Sequence, residues 1–429
     1  MNIIKYPQAS ELENILKRPV FEADFLESTV KNILARVRQG GDQALLKFNE
    51  QFDKVKLDKL AVTEEEKNQA AGKISEDLRS AIQTALNNIK KFHEAQTRKE
   101  IKIETSKGVT CWRKAVPIEK VGIYIPGGTA PLFSTVLMLG VPASIAGCKE
   151  VVLCTPPGSD GKIHPAILYT AQLTGISKIF KTGGAQAIAA MAYGTESISK
   201  VDKIFGPGNQ YVTAAKQLVS MEGTAIDMPA GPSELAVIAD SSCNPVFVAS
   251  DLLSQAEHGK DSQVVLICPD EDVINKIGNE IDVQVEKLPR KEIARASLLN
   301  SKAILVKDLN EAMQVSNQYA PEHLIIATEN AVALSEKVIN AGSVFIGNYS
   351  PESAGDYASG TNHTLPTNGA AKAYSGVSLD SFMKQITFQE ITREGIADLG
   401  PAIEAMAEAE LLAAHKNAVS VRLSEIKKS

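Results

Sequence analysis

The run Ser254-Gln255-Ala256-Glu257-His258 sets an amide and an imidazole three residues apart in a stretch with helical patterning. Positions i and i+3 share a helix face, so the two side chains project together. An amide oxygen with an imidazole nitrogen is half of a first-row metal site of the nitrogen and oxygen kind, which suits zinc without thiolates. Taken alone, the pair fits a solvated helix face better, because an amide is an unusual zinc ligand. Four of the six histidines, His258, His323, His363 and His415, fall in the second half, beside carboxylates or other polar groups. Asp356, between Gly355 and Gly360, is the natural anionic companion for Gln255 and His258, and His415 on the closing helix is a candidate fourth ligand. At Tyr319-Ala320-Pro321-Glu322-His323 a carboxylate and an imidazole adjoin at a helix-to-strand junction. On an extended segment they would point to opposite sides, whereas in a loop both converge on one cleft as two bases of different strength. Capping of the helix end is the competing use of the same pair.

The elements that must position these groups follow from periodicity. Apolar residues at helical spacing (Leu12, Ile15, Leu16, then Val30, Ile33, Leu34, Val37) predict an amphipathic helical opening over 9–50, with Gly40-Gly41 as a stop. Thr63 with Glu66 forms a capping box for a second long helix ending near His93, where lysines and the helix dipole suggest a bland surface histidine. From residue 119 short β-branched strands alternate with small-residue turns and helices: Lys120 to Ile125, the turn Pro126-Gly127-Gly128-Thr129, a helix over 131–145, and the pattern recurs. Such alternation implies right-handed βαβ crossovers and a parallel, doubly wound sheet. The glycine turns at 126–129, 183–185 and 206–209 fall at the carboxyl ends of strands, where ligands bind in such folds. None is a G-x-G-x-x-G fingerprint with its downstream acid, so a nucleotide site and plain turn punctuation remain equal readings of them. Pro229 and Gly231-Pro232 break the chain before a strand over 234–239 restarts the pattern, which places a boundary near 232 and a second α/β domain beyond it. The Gly-, Ser- and Pro-rich stretch 342–367 reads as a long functional loop, and 401–426 as an Ala- and Glu-rich helical tail suited to packing on a second subunit.

The chain has 429 residues, enough for at least two domains, with 44% apolar and 22% charged residues, ordinary globular values. A net charge of −6 without a basic stripe excludes nucleic acid as a partner. The opening MNIIKYPQASELENIL has no secretory pattern and no apolar run reaches a membrane span, so the cytoplasm is expected and no membrane partner. Five cysteines, Cys111, Cys148, Cys154, Cys243 and Cys268, show no C-x-x-C spacing and are expected to be reduced.

Eight ordered motifs carry a resemblance over essentially the whole chain: Tyr124 with IPGGTAPLFSTV, GGAQAIAA, KIFGPGN, AGPSE, SQAEHG, YAPEHL, GDYASGTNHTLPT and AAHKNAV. Together they resemble the histidinol dehydrogenase family. The resemblance implies two Rossmann-like domains with mainly parallel sheets, plus N-terminal helices and a helical C-terminal tail. The expected division is a discontinuous catalytic domain, 1–118 with 232–378, an NAD-binding domain, 119–231, and a dimerising tail, 379–429. It further implies an NAD-dependent, zinc-containing enzyme that oxidises L-histidinol through histidinal to L-histidine in two hydride transfers, the final step of histidine biosynthesis. By the same resemblance Gln255, His258, Asp356 and His415 hold one zinc per subunit and also face the substrate with His323. Glu322 and His323 form the acid/base pair, Ser233, His363 and Glu410 contact substrate, and Tyr124, Gln186 and Asn209 contact NAD. The family's homodimer shares its sites, so His415 and Glu410 come from the other subunit. Without the resemblance, the same residues also fit a zinc hydrolase, in which Glu322 activates metal-bound water, or an imidazole-binding module without turnover.

Overall fold

The structure, a computed structural model, describes residues 1–19, 23–127, 130–228 and 231–428. Gly128-Thr129 of the predicted turn, the predicted break at Pro229 and Ala230 of the AGPSE run lie outside the described residues. The chain divides into two compact units, Met1–Ala95 with Glu119–Phe382, and Gln96–Ile118 with Met383–Ser429.

The first unit contains two parallel sheets. Across the smaller one the order is Lys178–Lys181, Glu150–Thr155, Lys120–Tyr124, Lys203–Phe205, Ala225–Ile226, every neighbouring pair parallel. Counted along the chain this order is 3-2-1-4-5, and it reverses direction between Tyr124 and the turn after Phe205. Helices Phe133–Ala146, Pro165–Leu173, Gly184–Tyr193 and Gln210–Met221 make the connections. Across the larger sheet the order is Asn2–Lys5, Lys302–Leu305, Gln263–Cys268, Glu234–Ala239, His323–Ala327, Ser343–Ile346, again all parallel. Without the N-terminal strand it repeats 3-2-1-4-5. Helices cover both faces, so Glu234–Ala239, Gln263–Cys268 and His323–Ala327 are buried at every residue and read as apolar runs rather than alternations.

Several expectations change in detail. The chain opens on an edge strand, Asn2–Lys5, which is too short for periodicity to reveal and exists through its pairing with Lys302–Leu305. Within Ala23–Phe48 the backbone leaves helical geometry at Gly41, φ 48° and ψ −135°, so the Gly40-Gly41 stop ends one helical stretch and a second runs on to Phe48. The helix begun by the Thr63 capping box is short, Glu64–Asn68, and the long helix Glu76–Glu94 has its own cap in Ser75. The predicted loop over 342–367 contains the strand Ser343–Ile346 and the helix Glu352–Tyr357.

In the second unit, Lys102–Ser106, Val109–Pro117 and Met383–Ile391 form an antiparallel sheet. Residues 96–118 are thus joined to the C-terminal segment by strand pairing over nine residues of Met383–Ile391. The tail is one of these strands followed by two helices, Arg393–Ala409 and Ala413–Lys428. The helices close against each other where Gly400 admits Val419 and Leu423.

One buried ion pair fixes the turn after Lys203–Phe205. Gly206 adopts φ 126°, which a side chain would strain, and its N–H donates to Asp227 at 2.8 Å. The Lys216 ammonium pairs with Asp227, both being nearly sealed from solvent, and donates to the Gly206 carbonyl at 2.9 Å. Removing one partner leaves an uncompensated buried charge, at a cost of about 3–5 kcal/mol. Lys216→Met is therefore expected to lower unfolding free energy by about 3 kcal/mol in urea titration. Lys149→Met, which breaks an exposed pair with Glu119, should cost less than about 1 kcal/mol.

Candidate active site

The helix Pro245–Ala256 leaves the carboxyl end of Glu234–Ala239 and runs back, delivering its last turn to the amino edge of the larger sheet. Gln255 sits in that last turn. His258 does not share the helix; it lies past the C-cap Glu257, with its N–H donating to the Gln255 carbonyl at 3.2 Å. The same amino edge holds Ser233, half-buried just before Glu234–Ala239, and Glu322 just before His323–Ala327. Helix Leu309–Tyr319 ends on Ala320 in the left-handed conformation (φ 53°) and the chain turns through Pro321. This turn lets the adjacent Glu322 and His323 converge rather than diverge. Glu322 does not cap the helix; its carboxylate accepts the Glu234 N–H at 3.0 Å.

His323 is buried and pinned by strand register between Leu235 and Ser343. Its Nδ1 stands 3.8 Å from Glu322 and 3.7 Å from Glu352, and its Nε2 3.6 Å from Asp356. These are ion-pair contacts longer than hydrogen bonds, and neither ring nitrogen has a hydrogen-bond partner among the described residues. Burial pulls the imidazole pKa down, but Glu352, Glu322 and Asp356 outweigh it and push it up to about 10. Burial pushes Glu322 up to about 8, against the opposing pull of His323. It pushes Glu352 up to about 8 as well, again with His323 opposing. For Asp356 burial works upward, but the His323 imidazole and the further pull of His363 and His258 hold its carboxyl below the usual range.

Glu352 and Asp356 share a face of the short helix Glu352–Tyr357 at i and i+4. Ligand atoms of His258, Glu352 and Asp356 lie within 4.8 Å of one another. Gln255, wholly buried close by in sequence, has neither amide atom hydrogen-bonded within the described residues. Orphaned buried polar atoms beside crowded carboxylates fit a divalent cation: it would supply both the missing partners and the opposing charge. Glu352 is the functional candidate that sequence reasoning missed, although its spacing from Asp356 in Glu352-Ser353-Ala354-Gly355-Asp356 was a legible signal.

His363 is held from both sides. Its Nδ1 donates to the Asp356 carbonyl at 2.9 Å, and its Nε2 meets the Thr135 hydroxyl at 3.0 Å. Thr135 belongs to helix Phe133–Ala146 of the smaller sheet, so this contact ties the two halves of the first unit together. His93 is not a surface residue: it is wholly buried, with Nε2 3.5 Å from the Asn362 amide. The buried face Ile82, Ala85, Ile89, His93 has helical spacing, which the flanking lysines masked.

At the carboxyl edge of the smaller sheet lies a cavity of about 1010 Å³ whose walls include Tyr124, Gln186 and Asn209. Tyr124 ends the first strand, and its hydroxyl accepts the Gly184 N–H at 3.0 Å; burial pushes its pKa up to about 12. Gln186 is buried in the first turn of Gly184–Tyr193. Asn209 caps Gln210–Met221, its carbonyl accepting the N–H groups of Tyr211 and Val212 at 3.0 and 3.2 Å, which leaves its NH₂ to donate. Two helix N-termini thus open at the cavity, a setting that favours anions. Glu410, at the C-cap of Arg393–Ala409, and His415, on Ala413–Lys428, are exposed and belong to the second unit.

Two parallel sheets of 3-2-1-4-5 order, the larger with an added N-terminal edge strand, one with a cavity at its switch point and one with a carboxylate and imidazole cluster, define an α/β protein of the ligand-binding, enzyme-like class. The sequence matches the histidinol dehydrogenase family over residues 16–423. Histidinol dehydrogenase of Bacteroides thetaiotaomicron is 64% identical over 100% of both chains, and that of Salmonella typhimurium 53% identical over 96% of this chain and 95% of its own. The crystal structure of histidinol dehydrogenase from Elizabethkingia anophelis is similar at a TM-score of 0.97 and 56% identity, covering 100% of this chain and 99% of the other. The chain belongs to the histidinol dehydrogenase family, NAD-dependent oxidoreductases that act on histidinol in the final step of histidine biosynthesis.

The cation fit is testable without any assay of turnover. Zinc added to chelator-stripped protein should raise the melting temperature, since a ligand at about 100 times its Kd stabilises by about 2.7 kcal/mol. Calorimetry should show that rise abolished in Asp356→Asn and reduced in Glu352→Gln.

Proposed function

We propose that this chain oxidises L-histidinol to L-histidine through histidinal, with NAD in the 1010 Å³ cavity and one zinc ion at the amino edge of the larger sheet. The observation that carries this reading is His323: buried, with no hydrogen-bond partner among the described residues, and ringed by Glu322, Glu352 and Asp356. Gln255, His258 and Asp356 would hold the zinc, with Glu352 beside them. The ion would orient the substrate's imidazole and amine and polarise the bound groups. The smaller sheet forms the NAD-binding domain and the larger one the catalytic domain.

The carboxylates that push His323 up to about 10 include Asp356, which the cation would engage; with that charge offset the imidazole would be neutral, and His323 would take the alcohol proton as hydride leaves for the nicotinamide. Glu322 activates the water that adds to the aldehyde, before a second hydride departs. A carboxyl raised to about 8 by burial exchanges protons readily near neutral pH. Ser233 and His363 bind the substrate's polar groups; the Thr135 and Asp356 contacts hold His363 in one tautomer, with Nδ1 protonated and Nε2 accepting. Enclosure at the amino edge retains the aldehyde between the two oxidations.

The dimer completes the site. Glu410 and His415 of the partner subunit would contact substrate and help hold the zinc, which would account for a tail whose Met406 and Leu411 are 67% and 89% exposed in the single chain. Among the described residues no helix is long and apolar enough to cross a membrane.

Absorbance from NADH in the presence of zinc, NAD and histidinol tests the reading directly, and silence would overturn it. His323→Asn should lower kcat by about 10²- to 10⁴-fold while the KM for histidinol changes much less. Mixed under subunit exchange, the inactive His323→Asn and His415→Asn proteins should recover activity, because some hybrid dimers regain one intact site; no recovery would refute sharing.

A further inference from the structure

The cavity at the carboxyl edge of the smaller sheet holds a carboxylate for which the mechanism has no use. Sheets of this order commonly take an acid from the end of the second strand, where it accepts from a ribose hydroxyl. Here that strand, Glu150–Thr155, runs into Pro156-Pro157 and presents no acid at its carboxyl end. Among the described residues three carboxylates line the cavity: Asp53, Glu66 and Asp160. Glu66 is committed to Lys181 at 2.6 Å and to the Thr63 N–H at 2.9 Å. Asp160 is exposed and accepts the Lys162 N–H at 3.1 Å within its own turn.

Asp53 differs from both. It ends the π-helical turn Asn49–Asp53, contributed by the N-terminal segment and not by the sheet. That turn is anchored: the buried Asn49 amide donates to the Lys181 carbonyl at 2.6 Å, and Phe52 stacks on Phe48 with ring centroids 5.5 Å apart. Asp53 lies near enough to Tyr124 for its charge to act on the phenol. Its Oδ2 is sealed from solvent with no hydrogen-bond partner among the described residues, and burial pushes its carboxyl up to about 6. A buried acceptor at a cavity wall without a donor forfeits the hydrogen bonds it had in water. A ribose diol supplies two donors at the spacing of a carboxylate's two oxygens, whereas a phosphate supplies none and repels it.

We propose that Asp53 takes over the role of the missing strand-end acid, accepting hydrogen bonds from ribose hydroxyls of the dinucleotide and selecting NAD against its 2′-phosphorylated form. The inference rests on the reading of this cavity as the NAD site.

The test is steady-state kinetics of the zinc-loaded enzyme with NAD and with NADP, comparing wild type, Asp53→Asn, Asp160→Asn and Gln186→Ala. In Asp53→Asn the KM for NAD should rise about tenfold or more, the size expected for a hydrogen bond to a charged group. The ratio of kcat/KM for NADP to that for NAD should rise by a similar factor, with kcat and the KM for histidinol much less affected. Asp160→Asn should leave the ratio unchanged. Equal changes for both dinucleotides, or a shift in the ratio confined to Asp160→Asn, would overturn the proposal. If Gln186→Ala raises the KM for NAD and Asp53→Asn does not, the assignment of Asp53 fails and the cavity reading stands; if neither raises it, the cavity reading itself fails. Should Asp53→Asn not fold, Asp53→Ser gives the same comparison.

Discussion

Crowding of like charge is the constraint on which the site depends. Glu322, Glu352 and Asp356 converge on one buried imidazole, an arrangement that water would disperse and that folding holds together at a cost in stability. Burial and mutual repulsion raise two of these carboxyls, while His323 at 3.6 Å helps hold Asp356 down. One low and two high carboxyl groups around a single imidazole give neighbouring groups that differ in charge at neutral pH.

The scaffold secures this cluster by using one topology twice with opposite edges. Both sheets run 3-2-1-4-5 once the N-terminal edge strand is set aside. In the smaller sheet the cavity lies at the carboxyl ends, as the switch-point rule requires. In the larger sheet the chemistry sits at the amino ends, because the helix Pro245–Ala256 returns its last turn there and the chain re-enters the sheet at Glu234 and His323. A buried clamp supports that edge. Arg18 pairs with the buried Glu234 carboxylate, donates to the Tyr319 carbonyl at 2.7 Å and lies 4.1 Å above the Tyr319 ring. The backbone N–H of Glu234 in turn orients Glu322. Thr135, reaching from the other half, then holds His363 at 3.0 Å and joins the cluster to the smaller sheet.

Much of this was legible in residue types and order. Strands from Lys120 onward and the parallel alternation follow from patterns of two to ten residues, and the same patterns singled out Glu322, His323 and Asp356, which the fold brings together. Errors arose where local pattern and long-range pairing disagree. His93 was masked by its lysine neighbours although its face is apolar, and Asn2–Lys5 is a strand solely because Lys302–Leu305 offers it hydrogen bonds. Glu352 was overlooked because a six-residue helix inside a Gly- and Ser-rich stretch carries little periodicity.

By itself, the sequence determined the element types of the first unit's alternating core, since hydrophobic period and turn chemistry are local, and it determined the family through motifs spread along the chain. Only the tertiary structure decided that Gln255 is buried while His258 escapes the helix, that Glu322 and His323 point the same way, and that an acid from residue 53 faces a cavity built 71 residues later around Tyr124. Each of these depends on where a chain returns after a crossover, and that is set by packing and strand register between segments far apart in sequence, which no local pattern encodes.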